Sequence, residues 1–83
     1  MSKPVDVTRD DVLTLVCIQL GCAAARMDDR IVENLGAESL DVLNLLVAVE
    51  IRYGVTIDEE RAYQLATVED LFREISERRS TLS

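Results

Sequence analysis

The sequence predicts an all-α chain, a small four-helix bundle with a long loop between the first and second helices and a short third helix. Three observations carry that prediction. Apolar residues recur at helical spacing in three long segments, and no stretch reads as a convincing strand. Two of those segments open on Thr-x-x-Asp, at Thr8 and at Thr67. The length of 83 residues allows one domain, and 48% apolar content with only 4% aromatic implies an aliphatic core.

The first helix begins near Thr8, the N-cap, with Asp10 and Asp11 in its first turn. Val7 and Val12 flank the cap as a hydrophobic staple. Leu13, Val16, Cys17, Leu20 and Ala24 then repeat at helical spacing and mark the buried face, and Gly21 weakens the end. Cys17 and Cys22 fall five apart in one helical pattern, where side chains diverge. Two thiols at that spacing make neither a disulfide framework nor a zinc signature, and they read as small, half-buried packing residues. Met27 to Ala37 holds few packing residues and reads as a loop closed by Leu35-Gly36.

The second helix runs from Ser39 to Tyr53, with Gly54 placed to stop it. Val42, Leu45, Leu46, Val49 and Tyr53 share one stripe and form its core face. Leu40, Val47 and Ile51 fall opposite, with Leu43 at their edge. A bundle of this size cannot bury both sides of one helix, so the second stripe is expected to be an exposed recognition surface. Val55 and Ile57 anchor the next loop, and Asp58-Glu59-Glu60 opens a short third helix ending near Leu65. The fourth helix starts at Thr67 and packs through Val68, Leu71, Phe72 and Ile75, with Glu69–Arg73 and Glu74–Arg78 as i,i+4 pairs. The single domain, residues 1–83, is expected to have an ordered core from about 6 to 79, with Lys3 and Pro4 in a loose N-terminus and residues 80–83 frayed.

Charge narrows the partners. The formal net charge is −7, which disfavours nucleic acid and anionic membrane surfaces and favours basic protein partners. Residues 31–60 hold Glu33, Glu38, Asp41, Glu50, Asp58, Glu59 and Glu60 against Arg52 alone, so nearly all the net charge surrounds the second helix. The chain has no His, the usual general base and zinc ligand, and it is too small to enclose a deep active site beside a full core. Asp28-Asp29 and the acidic run at Asp58 lack the ligand spacing of a calcium loop. With no signal peptide before the domain and no apolar run of membrane length, a cytoplasmic, reducing home is expected.

Residues 35–41 read Leu-Gly-Ala-Glu-Ser-Leu-Asp. Here the sequence resembles the acyl carrier proteins, whose attachment motif is Leu-Gly-x-Asp-Ser-Leu before a long apolar and acidic helix. The likeness runs through Val42 to Gly54, through Val55-x-Ile57-x-Glu59, Ala62 and Leu65, and on to Thr67-Val68-Glu69-Asp70-Leu71 and Ile75. The resemblance implies that Ser39 takes a covalent 4'-phosphopantetheine arm, derived from coenzyme A, from a phosphopantetheinyl transferase. It implies a carrier rather than an enzyme, which holds acyl groups as thioesters for fatty-acid, lipid or polyketide synthesis. The partners implied are the transferase and acyl-transferring and acyl-modifying enzymes, met by a monomer. Glu38, Leu40, Asp41, Val47, Glu50 and Ile51 are the expected recognition residues. Glu38 stands where the family usually has Asp, and Asn44 and Ile51 stand where bacterial fatty-acid carriers are often acidic. These departures suggest a carrier for a dedicated lipid or secondary-metabolite pathway.

Two other readings compete. Related modules carry aminoacyl or peptidyl groups, and an unmodified interaction module could share the fold, with Ser39 serving only as an N-cap.

Overall fold

Helix boundaries in this chain follow from how each orphaned end finds partners. The computed structural model describes residues 7–82. In α1 (Arg9–Leu20) the Thr8 hydroxyl accepts from the Asp11 N–H at 3.1 Å, the expected cap. Gly21 then takes the left-handed conformation, φ 70°, and ends the helix. Ala24 lies beyond that stop and is exposed, so the predicted buried face ends at Leu20. Val12 and Val16 are its deepest residues, both with no exposure.

The helices α2 (Ser39–Tyr53), α3 (Glu59–Gln64) and α4 (Val68–Leu82) stand where the sequence places them. At the head of α4 the Thr67 hydroxyl accepts from the Asp70 N–H, and the Asp70 carboxylate accepts from the Thr67 N–H, each at 3.1 Å. This reciprocal box fixes the register that buries Val68, Leu71 and Ile75. The helix reaches Leu82, past the expected limit at residue 79. Its last turns are tied down: Arg78 donates to the Thr56 carbonyl at 3.0 Å and Arg79 to the Tyr53 carbonyl at 2.8 Å. Lys3, Pro4 and Ser83 lie outside the described residues.

The core joins α1, α2 and α4 through Val12, Val16, Val42, Leu45, Val49, Leu71 and Ile75, with Tyr53 as its one fully buried aromatic ring. Val55 and Ile57 are buried as expected. The segment between α1 and α2 differs from its expected character. Ile31 and Ala37 are buried, and Met27 and Leu35 pack against the core. Its backbone is also pinned to the start of α4: Ile31 N–H donates to Ala66 at 2.9 Å, Val68 N–H to Asp29 at 3.2 Å, and Glu69 N–H to Met27 at 2.9 Å. Arg30 and Thr67 form an isolated antiparallel bridge there, while the regular elements among the described residues are all helices.

Glu74 is a second difference. The sequence presents it as one surface partner of Arg78, but its side chain is only 7% exposed. It accepts from Arg78 at 2.7 Å and also from Arg61 of α3 at 3.1 and 2.9 Å. Hydrogen bonding to Arg61 holds its carboxyl below the usual carboxylate range; burial opposes this, and Arg78 adds to it. A buried carboxylate is thereby kept charged and made to join two helices.

Candidate functional site

The surface around Ser39 is built from the end of the long connection and the first turns of α2. Asn34 and Leu35 N–H groups both donate to the Arg30 carbonyl, at 2.8 and 3.1 Å, and Gly36 N–H donates to Val32 at 3.1 Å. Gly36 has φ 70°, which side chains with a Cβ rarely adopt, and it turns the chain so that Ala37 enters the core. Ala37 N–H closes the turn on the Ile31 carbonyl at 3.2 Å. The head of α2 is thus hung on two buried residues of the connection, Ile31 and Ala37.

Ser39 is exposed and is the first residue of α2. The N-cap is Glu38, in extended conformation, and the Asp41 carboxylate accepts from the Glu38 N–H at 3.0 Å. The reading of Ser39 as a plain N-cap therefore fails: the cap position is one residue earlier. Ser39 belongs instead to the first turn of a 15-residue helix, the end where the macrodipole is positive. That is a favourable seat for a phosphodiester. The chain has no His anywhere, so none stands beside this hydroxyl.

The other expected site residues fall into two groups. Leu40, Val47 and Ile51 are 66%, 54% and 80% exposed, and Leu43 is 39% exposed, so the outer stripe of α2 faces solvent. Val42, Leu45, Val49 and Tyr53 are buried on the opposite side, with Leu46 half-buried at the margin. Among the acids, Glu38 and Glu50 are exposed, and Thr56 makes a long 3.5 Å contact to Glu50. Asp41 is half-buried and spends one oxygen on the helix start. Asp58, Glu59 and Glu60 are exposed nearby. Arg52 leans away from them toward Asp11, at 3.8 Å. The negative field around α2 is therefore only weakly offset from within the chain.

One feature here was not expected from the sequence. Between α2 and α3 lies an apolar cleft of about 30 Å³, lined by Val42, Leu45, Leu46, Ala62, Tyr63 and Leu71 among others. That is too little for a hydrocarbon chain unless the helices part. The signal in the sequence was the surplus of apolar residues in α2, but spacing alone could not separate a cleft wall from packed core.

A family model described as the phosphopantetheine attachment site matches residues 10–75. Acyl carrier proteins of Rickettsia massiliae and Rickettsia prowazekii are each 42% identical to the chain over 53 residues, which is 64% of this chain. The matched segment spans 62% of the length of these relatives. Among solved structures, the 3,7-dioxo-octyl actinorhodin acyl carrier protein of Streptomyces coelicolor superposes with a TM-score of 0.78 at 23% identity, covering 93% of this chain and 95% of that one. The acetyl form superposes with a TM-score of 0.76 at 24% identity over the whole of both chains. At those identities the likeness speaks for the four-helix fold.

Proposed function

We propose, from the premise that this chain belongs to the phosphopantetheine attachment-site family, that Ser39 bears the arm and that the chain serves as an acyl carrier. The carrying observation is the position of Ser39: exposed, first in a long helix, and free of the capping role that Glu38 takes. The arm, when attached, supplies a terminal thiol that holds acyl groups as thioesters. The chain's own residues do the rest. The first N–H groups of α2 would hold the phosphodiester, and Asp41, tied to the Glu38 N–H, keeps that helix end wound. The exposed stripe of Leu40, Val47 and Ile51, with Glu38, Asp41 and Glu50 around it, forms the surface that partners read. Tethering raises the local concentration of the cargo at each partner's active site.

The chain acts in this reading as a carrier and not as an enzyme. Its partners are a phosphopantetheinyl transferase and acyl-transferring and acyl-modifying enzymes in the cytoplasm, met by a single copy of the chain. Support comes from the small body, the missing general base and the acidic surface around α2. Departures at Glu38, Asn44 and Ile51 support a dedicated lipid or secondary-metabolite pathway. Among the described residues no helix is long and apolar enough to cross a membrane.

The test is intact mass after incubation with coenzyme A and a transferase of broad specificity. One phosphopantetheine is expected per chain, and none on Ser39→Ala, whose melting curve stays within about 0.5 kcal/mol of the parent because an exposed residue that is not a cap is changed. Modification that survives Ser39→Ala places the arm elsewhere, and an unmodified parent chain leaves only the interaction-module reading.

A further inference from the structure

The two cysteines, apart in the helical pattern, are brought together by the way α1 ends. Gly21 adopts φ 70° and ψ 23°, and its N–H donates to the Cys17 carbonyl. Cys22 N–H donates to that same carbonyl at 3.1 Å. In this left-handed helix stop the residue after the glycine folds back over the residue five before it, and their side chains meet. Here those two residues are Cys22 and Cys17. Both cysteines are free and half-buried. Their proximity also shows in the Cys17 thiol: burial pushes it up, and interaction with Cys22 pushes it further, with a smaller push from Asp29.

We propose that Cys17 and Cys22 are a redox modification site, closing to an intrachain disulfide with a small-molecule disulfide of the glutathione class. The balance is simple. One protein thiolate attacks a sulfur of glutathione disulfide and releases one glutathione thiolate. The second protein thiolate attacks the protein sulfur of the mixed disulfide and releases the other. Two protein S–H groups and one glutathione disulfide give one protein S–S bond and two glutathiones, with the protons passing to the released thiolates. The second step is intramolecular across a hydrogen-bonded turn, so it outruns a second attack from solution.

The backbone already holds the residues in register, so the bridge constrains little that is not fixed. A disulfide closing so short a loop gains little from chain entropy. It would clip the end of α1 to the start of the connection that leads to Ser39. The site stands apart from the arm proposed for Ser39 and does not depend on it.

The experiment uses the full chain carrying Ser39→Ala, so that no arm thiol can compete. Reduced protein is incubated with glutathione disulfide at rising concentration and read by intact mass and by free-thiol titration. The expected product is lighter by two hydrogens, has lost both free thiols and retains no glutathione. Cys17→Ser and Cys22→Ser on the same background cannot close, and any glutathione they take up stays on. The proposal is overturned if the two-cysteine chain accumulates glutathione adducts, stays fully reduced while a single-cysteine variant reacts, or forms chain-to-chain dimers instead.

Discussion

Arg61 and Glu74 join α3 to α4 through two hydrogen bonds to one carboxylate oxygen, at 3.1 Å from Nε and 2.9 Å from Nη2. α3 has six residues and buries none of them fully. A helix that short is not stable alone. Its place depends on this pair and on Ile57 and Leu65 at its ends. Glu74→Gln should therefore cost about 1–3 kcal/mol at neutral pH, with the loss concentrated in α3. The pH dependence has a definite sign. The Glu74 carboxyl is lowered in the folded chain, so its contribution is present above the unfolded carboxyl value and is lost as pH falls through the folded one. Denaturant melts of parent and variant should differ at pH 7 and converge in acid. A gap that widens on acidification would show that the pair does not stabilise the fold.

The two faces of α2 should respond oppositely to substitution. Ile51→Glu changes an 80% exposed side chain and should alter stability by less than about 0.5 kcal/mol. Leu45→Ala, at 3% exposure, should cost about 2–5 kcal/mol. Partner binding should fall for Ile51→Glu and for Val47→Glu. Equal unfolding by Ile51→Glu and Leu45→Ala would mean that the outer stripe is packed in solution.

Gly36 offers a test of backbone strain without steric conflict. A Cβ there would meet nothing within 4 Å, yet φ is 70°. Gly36→Ala should cost about 1–2 kcal/mol from the left-handed conformation alone. Gly36→Asn should lose less, since Asn tolerates that region better. Thermal melts that rank Ala at or above Asn would rule out strain as the cause.

Electrostatic steering predicts a site-specific effect on association with the transferase. Glu50→Lys should slow association more than Glu77→Lys on α4, and the difference should shrink with salt as screening shortens to about 8 Å at physiological ionic strength. Asp41 is a poorer probe, because its reversal also removes the bond that starts α2. Stopped-flow rates that fall equally for both reversals would indicate that only net charge counts.

Much of this arrangement is written locally. Thr8 and Thr67 cap as their sequence context says, and the two faces of α2 separate as its spacing says. The failures share a cause, which is geometry outside regular helix. Cys17 and Cys22 diverge on a continuous helix and meet only because Gly21 ends it. Ile31 looks like one apolar residue in a polar loop, since its partner Ala66 is 35 positions away. Glu74 pairs with Arg78 within reach of local pattern, whereas Arg61 comes from another helix.

The pins between residues 27–31 and the head of α4 set the order in which this chain can open. Four helices encoded by local sequence need only short-range contacts, which form within microseconds. The bonds Ile31–Ala66, Asp29–Val68 and Met27–Glu69 close the widest spans of backbone pairing here. They should form after the helices and release before them. The amides of Ile31, Val68 and Glu69 are then reporters of a partial opening in which the ledge beneath Ser39 lifts while α1 and α4 stay wound. Deuterium uptake at those three amides, faster than at Val16 or Val49, would time that opening and set how often the Ser39 surface is presented in a second shape.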